Sequence, residues 1–101
     1  MISVLASITL HPGKRDAFLA LFNARVPEVR EEPGCLEYFP AVDIDSGLPV
    51  QQRDENVVTI IEKWQSVEAL KDHLATPGMA AYREQTQELV AGLSLKVLQQ
   101  A

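Results

Sequence analysis

The sequence has few of the residues on which most recognisable functional motifs depend. Among its 101 residues are one cysteine and two histidines, and aromatic residues make up 6%. The single cysteine, Cys35, excludes an internal disulfide and suits a reducing cytoplasm. Because the histidines and the cysteine follow no spacing used by metal sites, we expect no metal. The chain also lacks a glycine-rich phosphate loop and a dinucleotide fingerprint, so we expect no tightly held cofactor.

Positive charge and long apolar runs are also missing. Nine Lys and Arg residues against 14 Asp and Glu give a formal net charge of −5, which makes nucleic acid and anionic membranes poor partners. No apolar stretch approaches the roughly 18 residues that span a bilayer. The short N-terminal run alternates in polarity, which indicates a strand rather than a signal peptide. A hydrophobic content of 47% is typical of one globular domain, residues 1–101, which we expect in the cytoplasm.

Apolar periodicity predicts four strands and two helical regions. Pro27 lies inside the first helical pattern and should kink that helix or split it near Ala24. Pro77-Gly78 interrupts the second helical region. The predicted elements are a strand over 2–10, a helix over 14–32, strands over 35–42 and 57–65, helical stretches over 67–76 and 79–90, and a final strand from Gly92.

This β-α-β-β-α-β order predicts an α+β ferredoxin-like fold, with a four-stranded antiparallel sheet and both helices on one face. The third strand contains the run VVTII, so both of its faces should be covered. A second copy of the chain is the simplest cover for the opposite face, which predicts a homodimer with two sheets face to face. The polar segment 43–56 is long for a hairpin loop, and it forms either a twisted arm or a flap.

Residues 62–77, EKWQSVEALKDHLATP, carry the candidate chemistry. Glu62 and Trp64 point to one side of their strand. His73 lies beside the expected buried stripe of the next helix, at a half-buried boundary where an imidazole titrates near neutral pH. We predict Glu62 and His73 as catalytic acid–base groups and Trp64 as a flat wall for a ring. The expected buried stripe consists of Val67, Leu70 and Leu74. The other predicted substrate-binding residues are Tyr38, Phe18, Phe22 and Tyr82.

Each of these residues also has a purely structural interpretation. Trp64 could be an ordinary core residue, and Tyr38 and Tyr82 could be packing residues with a solvated hydroxyl. Glu62 could form an ion pair at the end of its strand, and His73 could be a solvated helix residue. The sequence leaves these alternatives open.

Three segments resemble the antibiotic-biosynthesis monooxygenase domain family, including its small quinol-monooxygenase-like members. They are EPGCLEY at 32–38, EKW at 62–64 and ALKDHLATP at 69–77. The resemblance extends over nearly the whole chain. It implies a dimeric α+β barrel with a pocket between helices and sheet in each subunit. For some members, it also implies oxidation of phenols or quinols by dioxygen without metal or flavin.

The chain departs from parts of that family. Some quinone-forming members have asparagine four residues before the tryptophan and tyrosine six residues after it, where this chain has Ile60 and Leu70. Haem-degrading members use an asparagine in the first strand, and none is present between Met1 and Leu10. Many relatives have a histidine after the proline that ends the second helix, where this chain has Gly78. These departures argue against haem cleavage and weaken the case for anthrone-type oxidation.

Three functions therefore stay open. The first is a cofactor-independent oxygenase that uses dioxygen on a small quinol or polyphenol, which the resemblance favours. The second is an acid–base isomerase of a small polar metabolite. The third is a dimer that binds a small ligand without chemistry.

Overall fold

The computed structural model describes all residues from Met1 to Ala101. Its elements, in order, are β1 (Ile2–Leu10), α1 (Arg15–Arg30), β2 (Cys35–Val42), β3 (Val57–Trp64), α2 (Val67–Leu74), α3 (Pro77–Thr86) and β4 (Val90–Leu98). The strands form one antiparallel sheet in the order β2-β3-β1-β4. This architecture confirms the predicted ferredoxin-like α+β fold. No helix combines the length and the apolar character needed to cross a bilayer.

The core lies between the helices and one face of the sheet. Alternate residues of β1 and β3 are buried because the register pairs them on the same face, as for Val4 opposite Glu62 and Ala6 opposite Ile60. The amphipathic helix α1 contributes the other half of the core. Its buried residues are Phe18, Phe22, Val26 and Val29.

Helices α1 and α3 differ from their predicted extents, and α3 begins at Pro77 and not at Met79. Helix α1 runs unbroken through Pro27, so the predicted split near Ala24 is wrong. Pro27 is exposed, and the carbonyl that loses its helical partner can bond to water instead. Helix α3 ends at Thr86 and not at Val90, because Val90 already pairs with Leu10 as the first residue of β4.

Strand β2 contains an irregularity that the alternation of its sequence did not indicate. The register against β3 shifts between Cys35 and Glu37, so Leu36 is the extra residue of a bulge. Tyr38 is buried as predicted, whereas Leu36 is 48% exposed and Val42 is 41% exposed. The predicted apolar face of Leu36, Tyr38 and Val42 is therefore wrong, since the bulge takes Leu36 out of it.

The opposite face of the sheet is uncovered in the single chain. Leu5 pairs with Ile61 on one side, and Ile61 pairs with Phe39 on the other, which sets three apolar side chains in a row across β1, β3 and β2. Leu5 is 37% exposed. The predicted second copy of the chain on this face stays a prediction.

Segment 43–56 joins β2 to β3 without helix or strand of its own. The Asp43 carboxylate accepts a hydrogen bond from the Asp54 backbone at 2.9 Å, and Arg53 forms an ion pair with Asp45 at 3.2 Å. Three of its apolar side chains are exposed, namely Ile44, Leu48 and Val50. The segment is therefore organised by its own contacts.

Candidate active site

A cavity of about 360 Å³ lies between the sheet and helices α2 and α3, and 11 of the 16 residues that line it are hydrophobic. On the β4 side its wall includes Leu93 and Leu95, which are 67% and 52% exposed, so the cavity is open there. No residue of segment 43–56 lines it, so that segment forms no flap over it. The lining residues from the sheet and the helices include Ala6, Ile8, Phe22, Tyr38, Ile60, Glu62, His73, Tyr82, Arg83 and Thr86.

The three buried polar residues of the chain are Glu62, His73 and Thr86, and all three line this cavity. Burial of a polar group lowers stability unless the group is paired, so such groups concentrate where function requires them. The cavity is therefore the candidate active site.

Helix α2 places His73 in the cavity wall. The helix begins after Ser66, whose hydroxyl accepts a hydrogen bond from the Ala69 backbone at 3.1 Å. At its other end the Thr76 hydroxyl donates to the His73 carbonyl at 2.9 Å and accepts from the Met79 backbone at 3.2 Å. Thr76 thus joins the end of α2 to the start of α3. The backbone at His73 is held from both sides.

The predicted orientation of α2 is wrong. Its buried residues are Leu70 and His73, whereas Leu74 is half-buried and Val67 is 41% exposed. His73 is only 2% exposed, so it is a buried residue and neither the boundary residue nor the solvated one that the sequence suggested. The reason is a polar partner inside the fold, which makes burial of the imidazole tolerable.

That partner is Glu32, which the sequence analysis did not identify as a site residue. The His73 Nδ1 and Glu32 Oε1 atoms lie 2.8 Å apart. The imidazole also packs against two aromatic rings, with its centroid 4.7 Å from that of Trp64 and 5.5 Å from that of Tyr38. The only feature of the sequence that indicated a role for Glu32 was the motif EPGC, in which its carboxylate directly precedes a turn that leads into the sheet.

Glu62 is 7% exposed and forms no ion pair, which overturns its interpretation as a strand-end salt bridge. The Trp64 Nε1–H donates to Glu62 Oε1 at 2.9 Å. Burial raises the pKa of the Glu62 carboxyl above its ordinary value, the Trp64 hydrogen bond opposes that rise, and the charge of Glu32 adds to it. Glu62 therefore holds its proton to higher pH than an exposed glutamate does.

Burial acts on the His73 imidazole in the opposite direction and lowers its pKa. The hydrogen bond and the charge of Glu32 oppose that change, and the positive charges of Arg25 and Arg83 add to it. With its pKa lowered from 6.5, His73 is mostly neutral at pH 7, the form that can accept a proton.

The five aromatic residues of the predicted site divide into two groups. Phe22, Tyr38 and Tyr82 line the cavity, whereas Phe18 and Trp64 do not and are fully buried. Trp64 instead supports the site from behind, through its hydrogen bond to Glu62 and its contact with the His73 ring. Trp64 therefore lies in the core, as the structural interpretation of this residue predicted.

The two tyrosines remain protonated across the physiological range. Burial raises the pKa of Tyr82 to about 12, and burial raises the pKa of Tyr38 above its ordinary value as well. Their rings pack on Phe22, whose centroid lies 5.3 Å from that of Tyr38 and 5.9 Å from that of Tyr82. The cavity thus combines apolar ring surfaces with phenol groups that can donate hydrogen bonds.

No group of three or more histidine, cysteine, aspartate and glutamate residues lies close enough to hold a metal ion. Cys35 lies outside the cavity lining, and burial raises the pKa of its thiol. The groups available for proton transfer at the cavity are therefore His73 and Glu62, with pKa values displaced toward each other. Two proton-transfer groups at one cavity suit general acid–base chemistry on a largely apolar guest.

The sequence matches the family described as Antibiotic biosynthesis monooxygenase over residues 1–85. It is 38% identical over 101 residues to a protein of Escherichia coli (strain K12) named probable quinol monooxygenase YgiN. That alignment spans 98% of this chain and 97% of the relative.

Solved structures share the fold over almost the whole chain. PA3566 from Pseudomonas aeruginosa is similar with a TM-score of 0.83 at 25% identity, over 99% of this chain and 93% of that one. Rv0793 from Mycobacterium tuberculosis is similar with a TM-score of 0.81 at 27% identity, over 99% of this chain and 94% of that one.

Proposed function

The chain belongs to the antibiotic biosynthesis monooxygenase family, and on that premise we propose that it oxidises a small quinol or polyphenol with dioxygen and without a cofactor. One observation carries the proposal. A largely apolar cavity is lined by the imidazole of His73, whose lowered pKa favours its neutral form, and by the carboxyl group of Glu62. The phenols of Tyr38 and Tyr82 line the same cavity. Its volume of about 360 Å³ lies at the small end of the range for ligand pockets, which suits one or two fused rings.

The reaction we propose balances without a further reductant. A quinol with a ring C–H reacts with dioxygen to give a hydroxyquinone and water. One oxygen atom enters the ring at that C–H, and the other leaves as water. Oxidation of the quinol to the quinone level supplies two electrons and two protons, and conversion of C–H to C–OH supplies the other two electrons.

The protein assists this reaction by moving a proton and excluding water. Dioxygen accepts an electron more readily from a quinol anion than from the neutral quinol. In the proposal, His73 accepts the quinol proton, because a neutral imidazole is an efficient base at a pH close to its pKa. The cavity walls keep bulk water from the anion and its radical.

Glu62 and the aromatic residues have complementary roles in the proposal. The Glu62 carboxyl, whose raised pKa favours the protonated form, donates a hydrogen bond to a ring oxygen and returns a proton as water forms. Phe22 contacts the ring face, and the phenols of Tyr38 and Tyr82 orient its oxygens. Trp64 acts behind the cavity by holding Glu62.

The proposed enzyme is a homodimer. The row of Leu5, Ile61 and Phe39 gives the uncovered sheet face an apolar centre, and a symmetric second copy is the simplest cover for it. Sedimentation measures the mass directly. A monomer at micromolar concentration contradicts this part of the proposal and leaves the cavity chemistry unaffected.

The activity test follows oxygen uptake and quinone absorbance with one-ring and two-ring hydroquinones. With ¹⁸O₂, one labelled atom should appear in the hydroxyquinone. We expect His73→Ala to lower kcat by roughly 100- to 10,000-fold, the usual contribution of a general base. His11→Ala is the matched control, because the His11 side chain is exposed and does not line the cavity. Release of hydrogen peroxide with no labelled product, or equal turnover by His73→Ala, contradicts the proposal.

A second function has one specific observation in its favour. Glu62 and His73 are two proton-transfer groups at the same cavity, with the pKa of Glu62 raised and that of His73 lowered by burial. Two such groups at one cavity also suit an isomerase that moves a proton between two carbons or oxygens. Arg83 at the cavity could bind a polar substituent of such a substrate. Product formation without oxygen uptake would select this function. Thermal stabilisation by a ligand with no turnover would select a binding protein.

A further inference from the structure

We propose that the turn Glu32-Pro33-Gly34 positions His73, with Glu32 holding the imidazole in the tautomer whose Nε2 is unprotonated and faces the cavity. The inference deepens the proposed function and rests on it for its catalytic consequence. In this view Glu32 is a positioning residue, because it acts through His73 and does not line the cavity.

The turn lies close to helix α2 and to the residues that lead into it. The Gln65 backbone donates to the Gly34 carbonyl at 2.8 Å. Gly34 has φ of +83°, and a Cβ at that position would lie 2.7 Å from the Ala69 Cβ. Only glycine therefore allows the turn to approach the helix this closely.

This approach determines where Glu32 reaches the helix. Ala69 and His73 are four residues apart and lie on the same face of α2. With Gly34 against Ala69, the Glu32 carboxylate comes level with the next turn of the helix, 2.8 Å from His73 Nδ1. The Glu32 side chain is 16% exposed, so its orientation is restricted by the surrounding protein.

The hydrogen bond determines which nitrogen of His73 carries the proton. An ionised carboxylate can only accept, so Nδ1 must donate. A neutral imidazole carries one proton, and with that proton on Nδ1 the lone pair of Nε2 is free. His73 lines the cavity and Nδ1 is engaged by the turn, which makes Nε2 the nitrogen available to a guest. An imidazole without such a partner divides between both tautomers and rotates more freely.

Several charges affect the pKa of His73, and among them Glu32 raises it most directly. Burial lowers the His73 pKa, and Glu32 raises it through both its hydrogen bond and its charge. The titratable and charged groups that face the imidazole or share its cavity are Arg25 on α1, Glu32 in the turn, Tyr38 on β2, Glu62 on β3, and Tyr82 and Arg83 on α3. Removal of the Glu32 charge should therefore lower the His73 pKa further.

The test reads the tautomer directly by ¹⁵N NMR of the imidazoles at alkaline pH. The chain has only two histidines, and the spectrum of His11→Ala assigns the signals. We expect the wild type to show protonated Nδ1 and bare Nε2 at His73. In Glu32→Ala this preference should be lost, and kcat should fall roughly 10- to 100-fold with little change in KM, by analogy with partners that orient metal-binding histidines.

Two further variants separate positioning from simple stabilisation. Glu32→Gln keeps the side-chain length and an acceptor oxygen but not the charge, so kcat should be intermediate and the acid limb of its pH profile should move to lower pH. Glu31→Ala, in the exposed neighbouring residue, should change neither the tautomer nor the pH profile. A merely structural role for Glu32 would alter the melting temperature but not the acid limb.

The outcomes distinguish this inference from the proposed function. Protonated Nε2 in the wild type, or an unchanged tautomer in Glu32→Ala, overturns the inference whatever the activity. An altered tautomer with unchanged kcat overturns its catalytic part. If the tautomer responds as expected but the wild type oxidises no quinol, the inference about Glu32 stands and the proposed function fails.

Discussion

The two halves of the helix–sheet layer differ in how they are filled. The half against α1 is packed with apolar side chains, among which Phe18 and Val29 have no exposed surface. The half against α2 and α3 contains the cavity and all three buried polar residues, Glu62, His73 and Thr86. The first half resembles an ordinary protein interior, and the second departs from it in packing and in polarity.

This difference shows how a small domain combines stability with a site. Burial of apolar surface is the main source of stability in a chain of 101 residues, and a cavity with buried polar groups reduces that stability. Here the two lie side by side on one sheet, and Phe22 of α1 lies at their boundary, since it also lines the cavity. We therefore expect substitutions in the α1 half to affect the free energy of unfolding, and substitutions in the other half to affect activity.

The largest expected effect is on Phe18. Phe18→Ala should lower the free energy of unfolding by about 3–5 kcal/mol, because it removes a fully buried ring from the packed half. Chemical denaturation measures the loss. KM of the remaining folded enzyme should stay close to that of the wild type, because Phe18 does not line the cavity. A large rise in KM with little loss of stability would support the substrate-binding role that the sequence suggested.

A matched pair on β1 tests the comparison directly. Val4 and Ala6 are neighbours on the same buried face, but only Ala6 lines the cavity. Val4→Leu should lower the free energy of unfolding by about 1–3 kcal/mol, because the packed interior has no room for a larger side chain. Ala6→Leu should leave that free energy nearly unchanged and raise KM, because its side chain extends into the cavity.

Denaturation and steady-state kinetics on both variants give the result. Equal destabilisation by Val4→Leu and Ala6→Leu would contradict the contrast between the two halves, since it would mean that no usable space lies above Ala6.

The smallest expected effect is on Glu62, and it depends on pH. Because burial raises the Glu62 pKa, the folded chain binds this proton more tightly than the unfolded chain does. The contribution of Glu62 to the free energy of unfolding is therefore fully present below pH 4.5, the pKa of this group in the unfolded chain. That contribution is lost as pH rises through the pKa in the folded chain. Glu62→Gln keeps an acceptor for the Trp64 N–H and should raise the melting temperature by a few degrees above that window.

The increase in melting temperature caused by Glu62→Gln should disappear at acidic pH, and the activity of this variant should be lower at every pH. Glu84→Gln, in an exposed residue of α3, is the control and should show no such dependence. A variant that is less stable than the wild type at alkaline pH would show that the Glu62 carboxylate stabilises the fold and that its burial is not unfavourable.

Most of the fold could be predicted because its apolar residues follow the periods of strands and helices. The alternation from Ile2 to Leu10 corresponds to one buried face, and β1 has the predicted bounds. The bulge at Leu36 could not be predicted, because it depends on the register with β3. The early start of β4 at Val90 has the same origin, since its partner Leu10 lies at the other end of the chain.

The site was only partly predictable, for a similar reason. Glu62 and His73 come from one motif, and both line the cavity as expected. Glu32 is 41 residues from His73 in sequence, and only the tertiary approach of Gly34 to Ala69 brings the two together. The burial of His73 follows from that partner, so periodicity within α2 alone gave the wrong orientation of the helix.

The exposed wall formed by Leu93 and Leu95 bears on how such an enzyme diversifies. Both residues contact the cavity from an edge strand and contribute little to the buried core. Mutations there can change the shape of the accepted guest at small cost in stability. A chain that keeps Glu62 and His73 could therefore acquire new substrates through substitutions in β4 alone.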